Sequence, residues 1–282
     1  MIQQAYITAW RATAPWQDDA QVEQDLVLSR AVVEIFRHPE LAKQVALRGG
    51  TALNKLFIRP PSRYSEDIDL VQTVGEPSGP LLDLLRGVLD PWLGKPSRTA
   101  TRDGLTLLYR FNSEVQPVQP LRLKIEINTR EHFTLLGLQH VPLRVENPWF
   151  RGTAQVQTYR LDELMGTKMR ALFQRRKGRD LFDVWLCVSQ ARVAPQAVVD
   201  CLLHYLAQER HPVTRAQYEQ NLHDKQSDPG FSGDIAPLLN ANVAYDPAKA
   251  LQLVRDVLVS RIPGEPWRGP NPKANHPCSP HS

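Results

Sequence analysis

The chain offers little sulfur chemistry. It has three cysteines in 282 residues (Cys187, Cys201 and Cys278), and none stands in a Cys-x-x-Cys pair. That excludes a zinc ribbon or a disulfide framework and leaves reduced thiols of the cytosolic kind. No uninterrupted apolar stretch approaches membrane-spanning length. The opening Met-Ile-Gln-Gln-Ala-Tyr-Ile lacks a basic segment followed by an apolar one, so no secretory leader is expected. There is no internal repeat and no strong excess of one charge. A net charge of +4 permits a polyanionic partner without requiring one. What remains is a soluble cytoplasmic protein, 42% hydrophobic and able to bury a sizeable core.

Against that background, Asp67-Ile-Asp69 carries the most information. Side chains alternate faces along a strand, so both carboxylates point to one side while Ile68 and Leu70 point into a core. Two like charges on one face repel unless a cation lies between them, and oxygen-only ligands suit Mg²⁺. Upstream, Gly49-Gly50-Thr51 ends a short strand and opens a helix. Such a turn exposes backbone N–H groups at a positive helix end, as a phosphate cradle requires. A plain strand-to-helix turn has the same sequence.

The patterning predicts an α+β half followed by a helical half. An irregular segment runs to about residue 21, then a helix over 21–36, a strand over 44–48, a short helix over 51–57, the Asp-Ile-Asp strand, and a helix over 81–92. Strands follow over 105–111 and 121–129. In the second, Leu121, Leu123, Ile125 and Ile127 face one way while Arg122, Lys124, Glu126 and Asn128 face the other. From residue 161 the spacing is helical: 161–175, 180–190, 196–209, 214–223 and 246–261. The expected divisions are 1–158, 159–262, and a tail over 263–282 whose six prolines predict disorder.

Other residues fit the same chemistry. Glu126, beside the aspartates, supplies a third carboxylate for a two-metal clamp on an in-line phosphoryl displacement, or else pairs with Lys124 or Arg122. Lys168 lies within the apolar stripe of its helix, either snorkelling or reaching an anion in a cleft. Asp180 reads as a helix cap. Asp183 reaches the cleft or pairs with Arg179 one turn away. Arg175, Arg176 and Lys177 form a basic track suited to RNA, or simply a solvated face.

Together, Arg48-Gly-Gly-Thr-Ala-Leu53, Arg63-Tyr-Ser-Glu-Asp-Ile-Asp-Leu70, the Lys-Ile-Glu126 strand, residues 161–168 and Arg179-Asp-Leu-Phe-Asp183 resemble the AbiEii/AbiGii-type nucleotidyltransferase toxins of the DNA polymerase beta-like superfamily. The resemblance covers residues from about 20 to 190. The gap from Gly50 to Asp67 is longer than in the wider superfamily. The resemblance implies a polymerase beta-like core followed by a helical domain that closes over the nucleotide. Gly49, Gly50, Thr51 and Ser65 would then lie at the phosphates of an NTP, with Asp67 and Asp69 holding Mg²⁺ and Glu126 as the third acid. Lys168 would contact the triphosphate, and Asp183 would be the acid of the last motif. It further implies a toxin of a toxin–antitoxin or phage-defence pair, with a DNA-binding repressor as antitoxin and a tRNA 3′ end as one acceptor. A metal-dependent nuclease is a rival reading, although Lys124 precedes Glu126 rather than following it as acid-x-Lys order would require. A nucleotide-binding regulatory module without turnover is another.

Overall fold

A computed structural model describes residues 2–101 and 104–269. In chain order, α1 (Gln4–Trp10), α2 (Asp19–Arg37) and α3 (Pro39–Gln44) lead into β1 (Val45–Arg48). The helical turn α4 (Gly49–Ala52) continues as a π-turn (Leu53–Phe57), followed by β2 (Asp67–Gln72), α5 (Ser78–Leu93) and β3 (Ser97–Ala100). Then come β4 (Gly104–Asn112), β5 (Pro120–Asn128), β6 (Leu138–Glu146) and β7 (Arg151–Tyr159). The remainder is helical: α6 (Leu161–Gln174), α7 (Gly178–Ser189), α8 (Pro195–Gln208), α9 (Arg215–Gln226), α10 (Pro229–Gly233) and α11 (Pro247–Val257).

One seven-stranded mixed sheet runs β3-β4-β5-β2-β1-β7-β6. β2 lies parallel to β5, with Asp67 opposite Lys124 and Asp69 opposite Glu126. On its other side β2 is antiparallel to β1, with Arg48 opposite Asp69. Alternation does the sorting. Ile68, Leu70, Ile125 and Ile127 are buried on one face, while Asp67, Asp69 and Lys124 are half-buried on the other.

Four sequence expectations are corrected. The first segment contains α1, which packs on α2 through Ile7 and Trp10 rather than lying irregularly. The β6–β7 hairpin and β3 were not expected. β6 is an edge strand, which is why it tolerates Pro142. The predicted short helix is an α-turn followed by a π-turn. In the tail, residues 263–269 dock on α9: Trp267 stacks near His223 at 4.7 Å and its N–H donates to Glu219. The rest of the expected disorder, from residue 270 on, lies outside the described residues.

Side chains satisfy several helix ends. Asp18 caps α2 by accepting from the Ala20 N–H, and Thr214 with Gln217 forms a capping box on α9. Lys225 of α9 reaches the last carbonyls of α6, donating to Leu172 and Phe173, where the helix dipole favours a cation. The sheet and the helical half share one continuous apolar core. The strand-like segment before β2 is stitched to the far end of the chain: Tyr64 N–H donates to Leu238 O at 2.8 Å, and Asn240 N–H to Ser62 O at 3.0 Å.

Candidate active site

The floor of the site is the turn after β1. Gly49 has φ +74°, and a Cβ there would overlap the Asp69 carboxylate; a Cβ on Gly50 would overlap the Arg63 guanidinium. The glycines therefore let two charged side chains press against the backbone. Thr51 is fully buried. Its hydroxyl donates to the Asp67 carbonyl and lies 2.9 Å from the Ser65 hydroxyl, so this pair fixes the start of β2. The Asn54 amide donates to Gly50 O at 3.0 Å.

Opposite this floor stands α6. Arg48, Gly49 and Asp69 face Lys168, Gln174 and Arg175 across a cleft of about 210 Å³. Asp69 lines it, and the strand aspartates and the aspartates of α7 differ in their surroundings. Burial pushes Asp67 up to about 6 although Lys124, 3.0 Å away, pulls it down. Burial also raises Asp69, opposed by Arg48 and Lys168 and reinforced by Glu126. Lys124 is the cation between Asp67 and Glu126, which is 3.3 Å from its ammonium. Behind α6, Asp180 and Asp183 are completely buried yet held low. Asp183 receives a bidentate Arg63 (2.6 and 2.7 Å) and Lys168 (2.9 Å). Asp180 receives Lys168 (3.1 Å) and both Nε and Nη2 of Arg175 (2.7 and 2.9 Å). Burial acts upward on both, but these cations outweigh it and bring Asp180 down to about 2.

Several expected placements change. Asp180 is a buried ion-pair partner, not a cap, and Asp183 pairs with Arg63 rather than with Arg179, which goes to Asp234 at 3.2 Å. Arg175 belongs to the cleft wall, while Arg176 and Lys177 lie outside, facing Asp228 and Asp234 at 3.3 and 3.6 Å. Lys168 does line the cleft. Two of its three protons are committed to aspartates, leaving one for a ligand. Arg48 and Arg63 were missed as site residues. Their only sequence signal was position, one flanking the double glycine and the other opening the Asp-Ile-Asp motif.

Among the described residues no three acidic, His or Cys side chains converge on one point. Asp67 and Asp69, half-buried on one face and under-compensated, are the two carboxylates that could hold a divalent metal. That is how Mg²⁺ is usually held when phosphates and water complete its shell. Glu126, about half exposed and tied to Lys124, stands beside this pair rather than closing a three-acid clamp.

A family model described as the nucleotidyl transferase AbiEii toxin of type IV toxin–antitoxin systems matches residues 30–253. No curated protein matches the sequence. Among solved structures, MenT4, a nucleotidyltransferase toxin from Mycobacterium tuberculosis, superposes with a TM-score of 0.64 at 14% identity, covering 93% of this chain and 91% of that one. An antigenic nucleotidyltransferase-like protein from Paracoccidioides brasiliensis covers 65% of this chain and 88% of its own at 16% identity, but its TM-score of 0.41 is too low to support an argument. Nucleotidyltransferases of this kind use a divalent metal, and the type IV arrangement implies an NTP substrate and an antitoxin partner. Since the family model spans most of the sequence, the chain belongs to the AbiEii nucleotidyltransferase toxin family.

Proposed function

We propose that the protein transfers a nucleoside monophosphate from an NTP to a hydroxyl of RNA, with a tRNA 3′ end as the favoured acceptor, and thereby blocks translation. The single observation that carries this reading is the facing of Asp69 and Gly49 by Lys168 and Arg175 across a phosphate-sized cleft, with Asp67 on the same face of β2 as Asp69. Asp67 and Asp69 would hold Mg²⁺, which when bound neutralises charge on the phosphates and polarises the reacting oxygens. The chain's own part is positioning. The backbone at Gly49 and Gly50 receives the phosphates, Lys168 and Arg175 neutralise the departing pyrophosphate, and Thr51 and Ser65 hold β2 in register. Asp183 acts from behind by aiming Lys168. The half-exposed Glu126, on the solvent side of Asp69, faces the approach of the acceptor hydroxyl.

Arg176 and Lys177, exposed at the end of α6, support an RNA acceptor as a secondary phosphate track. Family membership supports an antitoxin; that it is a DNA-binding repressor, and that the pair serves phage defence, belong to the same proposal. The test is incubation with each labelled NTP, Mg²⁺ and total RNA, with an Asp69→Asn variant alongside. Label on RNA that vanishes with the variant is the expected result. Label on a polypeptide or small molecule alone would overturn the RNA acceptor, and no label on anything would overturn the transferase reading.

A further inference from the structure

The phosphate cleft is too small for a whole nucleotide, since ligand pockets begin at about 300 Å³ and this one holds about 210 Å³. It opens, past Arg48, Arg170 and Gln174, into a second cleft of about 1060 Å³. Phe133 stands in its wall, half-exposed. Behind it lie Tyr205, with ring centroids 5.2 Å apart and planes 33° from parallel, and the edge of His204 at 5.5 Å. The ring is well anchored. The fully buried Glu163 of α6 accepts from the Thr134 hydroxyl, the Leu135 and Leu136 N–H groups and the Tyr205 hydroxyl, all between 2.7 and 2.9 Å. Polar groups surround it. Glu131 bridges Arg48 (2.5 Å) and Arg170 (2.8 Å), and Arg170 also meets Glu209 at 2.9 Å while lying over the Tyr205 ring.

We infer that this second cleft is the nucleoside subsite, in which the base of the incoming NTP stacks on Phe133 while the Arg48–Glu131–Arg170–Glu209 chain presents donors and acceptors to its edge and ribose. The inference rests on the transferase reading above and goes beyond it by assigning the residues that read the nucleotide. An aromatic face backed by a second ring and fixed by four hydrogen bonds is a preformed platform of the kind bases stack on. The alternative occupant, the acceptor strand, is disfavoured by the shared wall: Arg48, Arg170 and Gln174 line this cleft and the cleft of Lys168 and Arg175 alike, which suits a nucleoside attached to the bound phosphates.

The test compares two probes: α,β-methylene analogues of the four NTPs, which cannot turn over, and inorganic tripolyphosphate, which has no base. Phe133→Ala should weaken the best-bound analogue about tenfold or more and leave tripolyphosphate unchanged. Phe133→Trp should keep nucleotide affinity, with the new indole quenched on binding. An analogue that binds Phe133→Ala as tightly as wild type would overturn the subsite, and so would equal weakening of both probes. RNA binding lost in Phe133→Ala with nucleotide binding intact would overturn it in favour of the acceptor. Should wild type bind neither probe, the transferase reading itself fails. Thermal melts control for folding, and if Phe133→Ala is destabilised, Phe133→Leu decides by the same criteria.

Discussion

The strand aspartates and the helix aspartates are the same residue type, and the fold treats them oppositely. Asp67 and Asp69 are half-buried and pushed up, with Lys124 and Arg48 only partly offsetting their desolvation. Asp180 and Asp183 are wholly buried and held down by Arg63, Lys168 and Arg175. The first pair carries a charge deficit that a ligand cation would relieve. The second is electrically complete and spends its charge on aiming two cations at the cleft. Burial alone therefore does not identify the reactive acids; incomplete compensation does.

The comparison breaks most visibly at Asp183. Asp183→Asn leaves Arg63 buried without its bidentate partner, and losing one member of a buried pair costs about 3–5 kcal/mol. Urea unfolding should show that loss, and a wild-type midpoint would mean the helix acids are not structural. At Asp69 the expectation reverses. Asp69→Asn should reduce nucleotide transfer by at least about a hundredfold, about 2.7 kcal/mol of barrier, with a melting temperature equal to or above wild type. A sharp drop in melting temperature there would move Asp69 into the structural group.

Lys168→Met tests both groups together. It deletes a phosphate contact worth about 1.5–3 kcal/mol and also strips a cation from Asp180 and Asp183, so NTP affinity should fall about ten- to a hundredfold and stability should fall with it. Unaltered affinity in a destabilised variant would confine Lys168 to the buried cluster. The smallest effect is in pH. Asp67 binds its proton more tightly in the folded state, with a pKa of about 6, so metal-free stability falls as pH rises from about 4 to 6 and is level above. Asp67→Asn should therefore melt higher than wild type at pH 7, with the gap closing as pH drops below 6. Asp180 has the opposite sign. Its contribution is complete above about pH 4 and is lost as pH falls through about 2, so Asp180→Asn should flatten the acid limb of unfolding.

Much of the strand group was legible in the sequence, because period-two alternation fixes which carboxylates share a face and because Gly49-Gly50 marks a turn by itself. The helix group was not. The partner of Arg63 lies 120 residues away, and no local pattern connects Arg63 with Asp183. The β6–β7 hairpin escaped for a different reason. Pro142 interrupts one strand and mostly polar residues alternate in the other, although Leu143-Arg-Val-Glu146 and Ala154-Gln-Val156 do carry the period. The basic run after α6 looked uniform, yet its members diverge: Arg175 turns inward to Asp180, while Arg176 and Lys177 remain outside.

The stitching of residues 62–65 to Leu238 and Asn240 has a consequence for turnover. A hinge that swung the helical half away from the sheet would have to break the Arg63–Asp183 pair, two backbone hydrogen bonds and a shared apolar core at once. Substrate exchange is therefore expected through side chains and loops, which move in nanoseconds to microseconds, more than through domain opening on the microsecond-to-millisecond scale. The enzyme would present the same walls before and after binding, and its catalytic cycle would be paced by how fast product unbinds from a rigid mould.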